Sequence, residues 1–191
     1  MPIAAHKTRN DWGHGGSPAL HEGRVYLVDD NEEESFAAAY DAATGKELWQ
    51  VKRDPETNYT TPFVWTKTTP AQLVVPATKR TIAYDLAGHE VWSFTGGMST
   101  LTIGTPFAAH GLLFVGSGYF GDSKRGLFAI KPDARGDITP DFGSGKGDAF
   151  AWFNMRAASY NPSPLVYGDE LYLLYDPVSY THLTLPTKRI V

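Results

Sequence analysis

The chain has 191 residues, of which 42% are hydrophobic and 20% charged, and its formal net charge is -4. This length and composition are those of a globular chain with a sizeable core. The mild negative charge argues against a nucleic-acid binder, which would normally show a basic face or stripe. No apolar run is long enough to span a bilayer. The absence of cysteine excludes disulfides, thiolate metal sites and cysteine nucleophiles.

Turn-forming residues are frequent, with 19 glycines and 13 prolines, and 13% of the residues are aromatic. This mixture favours many short strands over helices. The first residues contain no apolar region of the kind found in a signal peptide. We interpret residues 1–16 as a lead-in or as the end of a preceding structural repeat.

A repeat begins with a hydroxyl residue and a proline, followed by an apolar strand. The prolines are Pro18, Pro62, Pro106 and Pro164, so the spacings are 44, 44 and 58 residues. A period of roughly 40–50 residues is typical of four-stranded propeller blades. Proline is tolerated at this place because the first residue of a strand need not donate a hydrogen bond to the sheet.

Each repeat also contains an aspartate, a glycine turn and a strand that ends on tryptophan. The repeated positions are Asp41, Gly45 and Trp49 in the first copy, Asp85, Gly88 and Trp92 in the second, and Gly136 and Trp152 in the third. A tryptophan that recurs once per repeat predicts packing between blades rather than a stacking platform for a ligand. The aspartates could be catalytic carboxylates, but an aspartate before a glycine turn usually bonds its own backbone. We expect a Gly-rich insertion at residues 139–148 of the third copy.

These patterns predict an all-β fold, a partial β-propeller of about three and a half four-stranded blades. The predicted blades are 17–58, 59–102, 103–158 and an incomplete 159–176. Residues 177–191 do not continue the repeat. They resemble translated sequencing-adapter read-through of a metagenomic sequence, so we expect this tail to be non-native.

The stretch from Tyr40 to Trp49, with its partial copy from Tyr84 to Trp92, resembles the repeat of the PQQ-binding-like (pyrroloquinoline quinone) β-propeller family. The resemblance covers about residues 17–176. It implies the propeller fold, and it implies little about activity because many members of the family bind no quinone. Its quinoprotein members use a calcium ion, a catalytic aspartate and a tryptophan under the cofactor, and none of these can be assigned here.

In a propeller, the loops between second and third strands and the linkers between blades lie on one side. We name this side the loop face, and it comprises residues 29–35, 53–59, 96–102, 116–126 and 156–161. Long mixed loops of this kind often carry binding residues. The predicted binding residues are His14, Asn31, Tyr59, Tyr119, Asp122, Arg125, Arg156 and Asn161.

No catalytic residue or metal site is predicted. The acidic run at residues 29–34 does not match an EF-hand calcium loop, and a solvated charged connection is the favoured interpretation.

The sequence favours a non-catalytic scaffold that binds a protein or a small molecule on the loop face. Two alternatives remain, a piece of a quinoprotein alcohol or sugar dehydrogenase and an outer-membrane assembly propeller. No cofactor is evident, and PQQ with calcium is expected only if the full-length protein is a quinoprotein. Neither a nucleic-acid partner nor a membrane span is expected, and the full-length parent is expected in the periplasm or outside the cell.

Overall fold

The computed structural model describes residues 6–54, 56–174 and 188–189. These residues contain one 3-10 turn at Arg9–Asp11 and four sheets. The first sheet consists of β1 (Ala19–His21), β2 (Arg24–Asp29), β3 (Phe36–Asp41) and β4 (Glu47–Lys52). The second consists of β5 (Phe63–Trp65), β6 (Gln72–Val75), β7 (Arg80–Asp85) and β8 (Glu90–Thr95), together with the later β12 (Gly136–Asp137). The third consists of β9 (Phe107–Ala109), β10 (Leu112–Gly116), β11 (Leu127–Ile130) and β13 (Phe150–Asn154). The fourth consists of β14 (Leu165–Tyr167), β15 (Glu170–Tyr172) and β16 (Lys188–Arg189).

In each of the first three sheets, four antiparallel strands follow one another as a meander. The first strands approach each other, β1 beside β5 and β5 beside β9, so they form the inner side of the arc. Each of these strands, like β14, begins directly after the proline of the repeat. The prediction of a partial all-β propeller is confirmed. None of the described segments forms a helix with the length and apolar character that membrane crossing requires.

Three apolar layers hold the sheets together, one at each junction. Between the first and second sheets lie Tyr26, Ala37, Leu73 and Ile82, all buried. The layer between the second and third sheets is the largest and contains Trp65, Trp92, Phe94, Leu113, Phe128 and Phe150. The layer between the third and fourth sheets contains Phe114, Leu127, Leu171 and Leu173. Each sheet therefore buries side chains against its neighbour, as the blades of a propeller do.

The repeated tryptophan occupies the same position in three sheets. It lies opposite an alanine of the third strand, and the register shifts immediately after that pair. The pairs are Ala39 with Trp49, Ala83 with Trp92 and Ala129 with Trp152. The small alanine leaves room for the indole ring. The register shift accompanies this alanine–tryptophan pair in all three sheets.

Trp49 shows how the ring joins two sheets. Its indole N–H donates to the carbonyl oxygen of Leu86 in the second sheet at 3.0 Å. Its ring lies against Gly88, where a Cβ atom would come within 2.9 Å of the indole. Gly88 also has a φ of +92°, so a side chain at this position is disfavoured by both its backbone and its neighbour.

The repeated aspartate caps its own turn. Asp41 Oδ1 accepts from Thr44 N at 2.8 Å and from Thr44 Oγ1 at 2.7 Å, and Gly45 N donates to the Asp41 carbonyl at 2.8 Å. These bonds hold the pKa of the Asp41 carboxyl below its usual range. Asp85 accepts in the same way from the backbone N–H groups of Ala87 and His89.

The third copy of this turn lies at residues 141–146 and not at Gly136, which corrects the sequence prediction. Gly145 N donates to the Asp141 carbonyl at 2.9 Å, and the Asp141 side chain accepts from Ser144 N and Oγ. Gly136 lies instead in β12, which crosses to the second sheet and pairs with β8 in parallel. The expected insertion begins earlier in the chain than residue 139, because β12 precedes the turn.

Exposed apolar side chains lie on the outer faces of the first and fourth sheets. Strand alternation directs Leu20 and Leu48 away from the second sheet, and they are 71% and 45% exposed. The same alternation directs Leu165 and Tyr167 away from the third sheet. The predicted non-native tail, 177–191, falls outside the described residues except for Lys188–Arg189, which pair with β15 as β16.

Gly88 and Gly45 form a matched pair for testing the contact between the first two sheets. Both have a positive φ, but a Cβ on Gly45 would meet nothing within 4 Å. We expect Gly45→Ala to lower the free energy of unfolding by about 1 kcal/mol, because alanine is disfavoured in the left-handed backbone conformation of this position. Gly88→Ala should cost roughly 2–3 kcal/mol because the Trp49 ring must also move. Urea unfolding followed by tryptophan fluorescence measures both values, and equal losses would contradict the proposed role of the ring.

Candidate functional site

The loop face is one continuous network, because each of its five segments bonds to the next. Asp30 bonds Arg53, and Tyr59 N donates to the Thr102 carbonyl at 2.9 Å. Thr100 Oγ1 donates to Asp122 at 2.8 Å, and Arg125 forms a parallel bridge with Arg156. The structure therefore brings together the loops that the sequence analysis grouped.

A buried ion pair holds the loop face at the junction of the first two sheets. The Asp30 and Arg53 side chains are both fully buried, and Arg53 Nε donates to Asp30 Oδ1 at 2.7 Å. Arg53 Nη2 donates to Asp30 Oδ2 at 3.1 Å, and Nη1 donates to the Tyr84 hydroxyl of the second sheet at 2.9 Å. The Asn58 amide also donates to Asp30. The guanidinium thus links a loop, a linker and the neighbouring sheet.

The same burial perturbs the titration of these groups. Loss of water raises the pKa of the Asp30 carboxyl, while Arg53 and Asn58 oppose that change by stabilising the charged form. Burial also raises the pKa of the Tyr84 phenol. Asp30, Arg53 and Tyr84 are all hydrogen-bonded within the protein. The cluster therefore has a structural role and offers no unpaired acid or base.

Only the second half of the acidic run is the solvated connection that the sequence predicted. Asp29, Asp30 and Asn31 are buried, and only the glutamates 32–34 are exposed. The Asn31 amide donates to Asp29 Oδ1 at 3.1 Å, and Asn31 Oδ1 accepts from the backbone N–H groups of Glu33 and Glu34 at 2.8 Å. Asn31 is therefore corrected from a binding residue to the centre of its own loop.

Two histidines attach the lead-in segment to this loop. His6 Nδ1 lies 2.8 Å from Asp29 Oδ2, and His14 Nδ1 lies 3.2 Å from Asp29 Oδ1. The bond to Asp29 raises the pKa of the His6 imidazole. Lys7 supports the same contact, because its carbonyl accepts from Glu32 N at 2.9 Å. His14 thus lies on the loop face, held by a buried carboxylate.

Buried hydroxyls take the place of the ion pair at the next junction. Ser99 and Ser117 are buried with their Oγ atoms 2.5 Å apart, and Thr102 Oγ1 lies 3.1 Å from Ser117 Oγ. Ser99 Oγ also accepts from Tyr119 N at 3.1 Å. These residues fix the backbone on which the predicted binding residue Tyr119 stands. Their small polar character was the only signal for them in the sequence.

Three aromatic rings form a cluster at the end of the 116–126 loop. The Tyr119 ring lies 4.9 Å from that of Phe120 and 5.2 Å from that of Tyr160, and Phe120 and Tyr160 are 6.0 Å apart. Phe120 is 53% exposed. We name these three residues the aromatic cluster. Phe120 and Tyr160 were not among the predicted binding residues, although both flank residues that were.

The remaining predicted residues lie at different depths. Arg156 and Asn161 are exposed, Arg125 and Asp122 are half-buried, and all four flank the aromatic cluster in sequence. Tyr59 lies under Gly15, where a Cβ would meet its ring at 3.0 Å. Its hydroxyl is buried without a hydrogen-bond partner.

The described residues do not fit a metal-dependent quinone site. No group of three or more histidines, aspartates or glutamates among them could hold a metal ion. A cavity of about 390 Å³ lies outside the loop-face segments and is lined by residues 133–135, 137–139 and 147–149. Its aspartates and its one arginine lie on an exposed surface.

Replacing Arg53 tests the ion pair. Arg53→Met leaves the Asp30 carboxylate buried without its cation, so we expect the free energy of unfolding to fall by about 3–5 kcal/mol. Lys52→Met, at an exposed neighbour, should stay within about 0.5 kcal/mol of the parent. The double variant Asp30→Asn, Arg53→Met should recover part of the loss in urea unfolding. A single-variant loss no larger than that of Lys52→Met would contradict the assignment.

The raised pKa of His6 predicts a pH-dependent attachment of the lead-in. Because the folded-state pKa exceeds the unfolded value of 6.5, the stabilisation is complete below 6.5 and is lost as pH rises through the folded-state pKa. His6→Gln should therefore lower the urea midpoint at about pH 5.5 and change it little at about pH 8.5. Asp29→Asn should abolish the same pH dependence. An equal effect of His6→Gln at both pH values would argue against the contact.

Comparison with known proteins agrees with this architecture. The family model described as outer membrane protein assembly factor BamB matches residues 4–136. A search of the curated proteins gives no match. BamB from Moraxella catarrhalis is 14% identical, with a TM-score of 0.57 over 83% of this chain and 46% of that one. Quinohemoprotein alcohol dehydrogenase from Comamonas testosteroni is 20% identical, with a TM-score of 0.51 over 82% of this chain and 22% of that one. The related enzyme ADHIIG from Pseudomonas putida HK5 is 19% identical, with a TM-score of 0.53 over 70% of this chain and 21% of that one.

At these identities the solved structures show a common fold, and this chain spans less than half the length of each. The match to the family model establishes the family, because it covers residues 4–136, more than half of the chain. The chain belongs to the PQQ-repeat β-propeller family that includes the outer membrane protein assembly factor BamB.

Proposed function

We propose that this chain is part of a non-catalytic propeller that binds a protein partner through the aromatic cluster of its loop face. The family description, outer membrane protein assembly factor, supports a role in protein assembly. A partner in that machinery would place the full-length protein in the periplasm. The finer assignment of a partner rests on the chemistry of the loop face.

The observation that carries the proposal is the contrast between buried and exposed groups on this face. Its buried polar groups, such as Asp30 with Arg53 and Ser99 with Ser117, are bonded to one another. Its exposed groups include the Phe120 ring beside Tyr160 and the Arg156 side chain. Aromatic residues and arginine are enriched at the centres of protein interfaces.

The loops that carry the aromatic cluster are tied together by close contacts and hydrogen bonds, which favours binding over catalysis by a moving loop. A Cβ on Gly118 would come within 2.2 Å of the Ala158 carbonyl oxygen, so the two loops are in direct contact. Asp122 fixes the far end of the loop by accepting from Thr100 N and Oγ1. A surface fixed before binding loses less conformational entropy when a partner docks.

A quinoprotein dehydrogenase is the second candidate, supported by the fold shared with two quinohemoprotein alcohol dehydrogenases. The described residues offer no carboxylate set for a metal. Asp30, the deepest carboxylate of the loop face, is already paired with Arg53. The protein-binding proposal therefore accounts for more of the described residues.

Site-specific photo-crosslinking tests the proposal. A benzophenone amino acid replaces Phe120 in the chain exported to the periplasm of a Gram-negative host, and the matched control replaces Leu20, which is also exposed but lies in β1 of the first sheet. We expect about tenfold more crosslinking of an outer-membrane assembly component from position 120 than from position 20. Tyr160→Ala in the same chain should remove most of that product.

Two results would count against the proposal. The first is equal crosslinking from positions 120 and 20. The second is saturable binding of pyrroloquinoline quinone with calcium to the purified chain, followed by fluorescence, together with dye-linked oxidation of an alcohol. That result would favour the dehydrogenase.

A further inference from the structure

The second sheet has a fifth strand, β12, which pairs with the outer edge of β8. β12 pairs with β8 in parallel, with Gly136 opposite Trp92 and Asp137 opposite Ser93. Ile138 N donates to the Ser93 carbonyl at 2.8 Å. Beyond the strand, Thr95 N donates to Thr139 Oγ1 at 3.1 Å. The edge groups of Ser93 and Thr95 are thus satisfied by a segment from 40 or more residues later in the chain.

The sequence of this added segment suits the edge in three ways. Gly136 adopts a φ of +69°, which turns the chain onto the strand. Asp137 Oδ1 accepts from Thr139 N at 2.9 Å and from Thr139 Oγ1 at 2.6 Å, and so orients the hydroxyl that reaches Thr95. Ile138 is buried in the apolar layer that contains Trp92 and Phe94. Backbone bonds therefore give the pairing, and one aliphatic side chain anchors it.

The outer edge of β4 is the equivalent edge of the first sheet. The shared register of Ala39 with Trp49 and Ala83 with Trp92 makes Gln50 equivalent to Ser93, and Lys52 equivalent to Thr95. Within the described ranges, β4 pairs only with β3. The corresponding connection of the second sheet is the tight turn at 85–90, which is too short to cross over as the third sheet's connection does.

The apolar side chains at this edge also lack the cover that β12 provides. Trp92 and Phe94, beside Ile138, are both fully buried. Their equivalents Trp49 and Val51 are only partly buried. The difference matches the absence, among the described residues, of an aliphatic side chain beside β4 equivalent to Ile138.

We propose that the outer edge of β4 is a docking site for an extended segment of another protein, which adds as a parallel strand. The segment would carry glycine, aspartate, an aliphatic residue and threonine in the order found at 136–139. Charged residues at an edge strand often only protect it from pairing. In β8, Glu90 occupies the position that Glu47 occupies in β4. The β8 edge nevertheless pairs with β12. This site is separate from the loop face and does not depend on the proposed function.

The test uses the chain labelled with ¹⁵N and a synthetic peptide with the sequence of residues 134–140, Ala-Arg-Gly-Asp-Ile-Thr-Pro. Titration followed by amide chemical shifts should perturb Gln50 and Lys52 saturably. The same peptide with an N-methyl group on its isoleucine lacks the donor that would bond the Gln50 carbonyl. Its affinity should be about tenfold lower. A scrambled peptide of the same composition should leave β4 unchanged.

Gln50→Pro provides a second arm, because proline removes only the outward N–H of an edge strand. This variant should lose the response while the amide spectrum of the other sheets is retained. If the variant does not fold, the N-methylated peptide still decides the question. Unchanged Gln50 and Lys52 amides, equal affinity of the methylated peptide, or shifts at Ser93 and Thr95 instead would each overturn the proposal.

Discussion

The stacking of one sheet on the next depends on a tryptophan ring that lies opposite an alanine. Trp49 passes across the junction to bond the Leu86 carbonyl and to cover Gly88. Burial of an indole contributes on the order of 4–6 kcal/mol of gross hydrophobic free energy, which explains why the position recurs in the first three sheets. The ring of one sheet thereby constrains the glycine turn of the next sheet. Two neighbouring sheets are therefore needed to complete the packing of each repeat.

Polar bonds act at the opposite edge of the same junctions and serve a different purpose. The desolvation of two charges offsets most of the attraction between Asp30 and Arg53. They fix which linker lies against which loop. At the next junction Ser99 and Ser117 perform this task without charge. The rigid platform beneath Phe120 therefore comes from neutral hydroxyls, whereas the first junction depends on an ion pair.

The repeat itself could be predicted from local sequence. Proline before each first strand and tryptophan at each fourth strand are short-range signals, and they placed the strands correctly. The prediction of the third turn at Gly136, the first glycine after β11, is wrong because β12 lengthens the connection before the turn at Asp141. Trp49 follows Asp41 by eight residues, but Trp152 follows Asp141 by eleven. The pattern Asp-x-x-Ser-Gly-Lys at 141–146, which matches Asp-x-x-Thr-Gly-Lys at 41–46, was the available signal.

Burial of the acidic run could not be predicted, since its cation Arg53 lies 23 residues away and only the folded loop brings them together.

The crossing of β12 has a consequence for the order of folding. Sheets one and three are closed by residues that follow one another along the chain, whereas the second sheet is completed only when Gly136 and Asp137 reach β8. During synthesis the second sheet therefore remains with an open edge until most of the third has emerged from the ribosome. Once formed, the crossing ties the two sheets into one cooperative unit, whose amide protons would exchange together and more slowly than those of the first sheet.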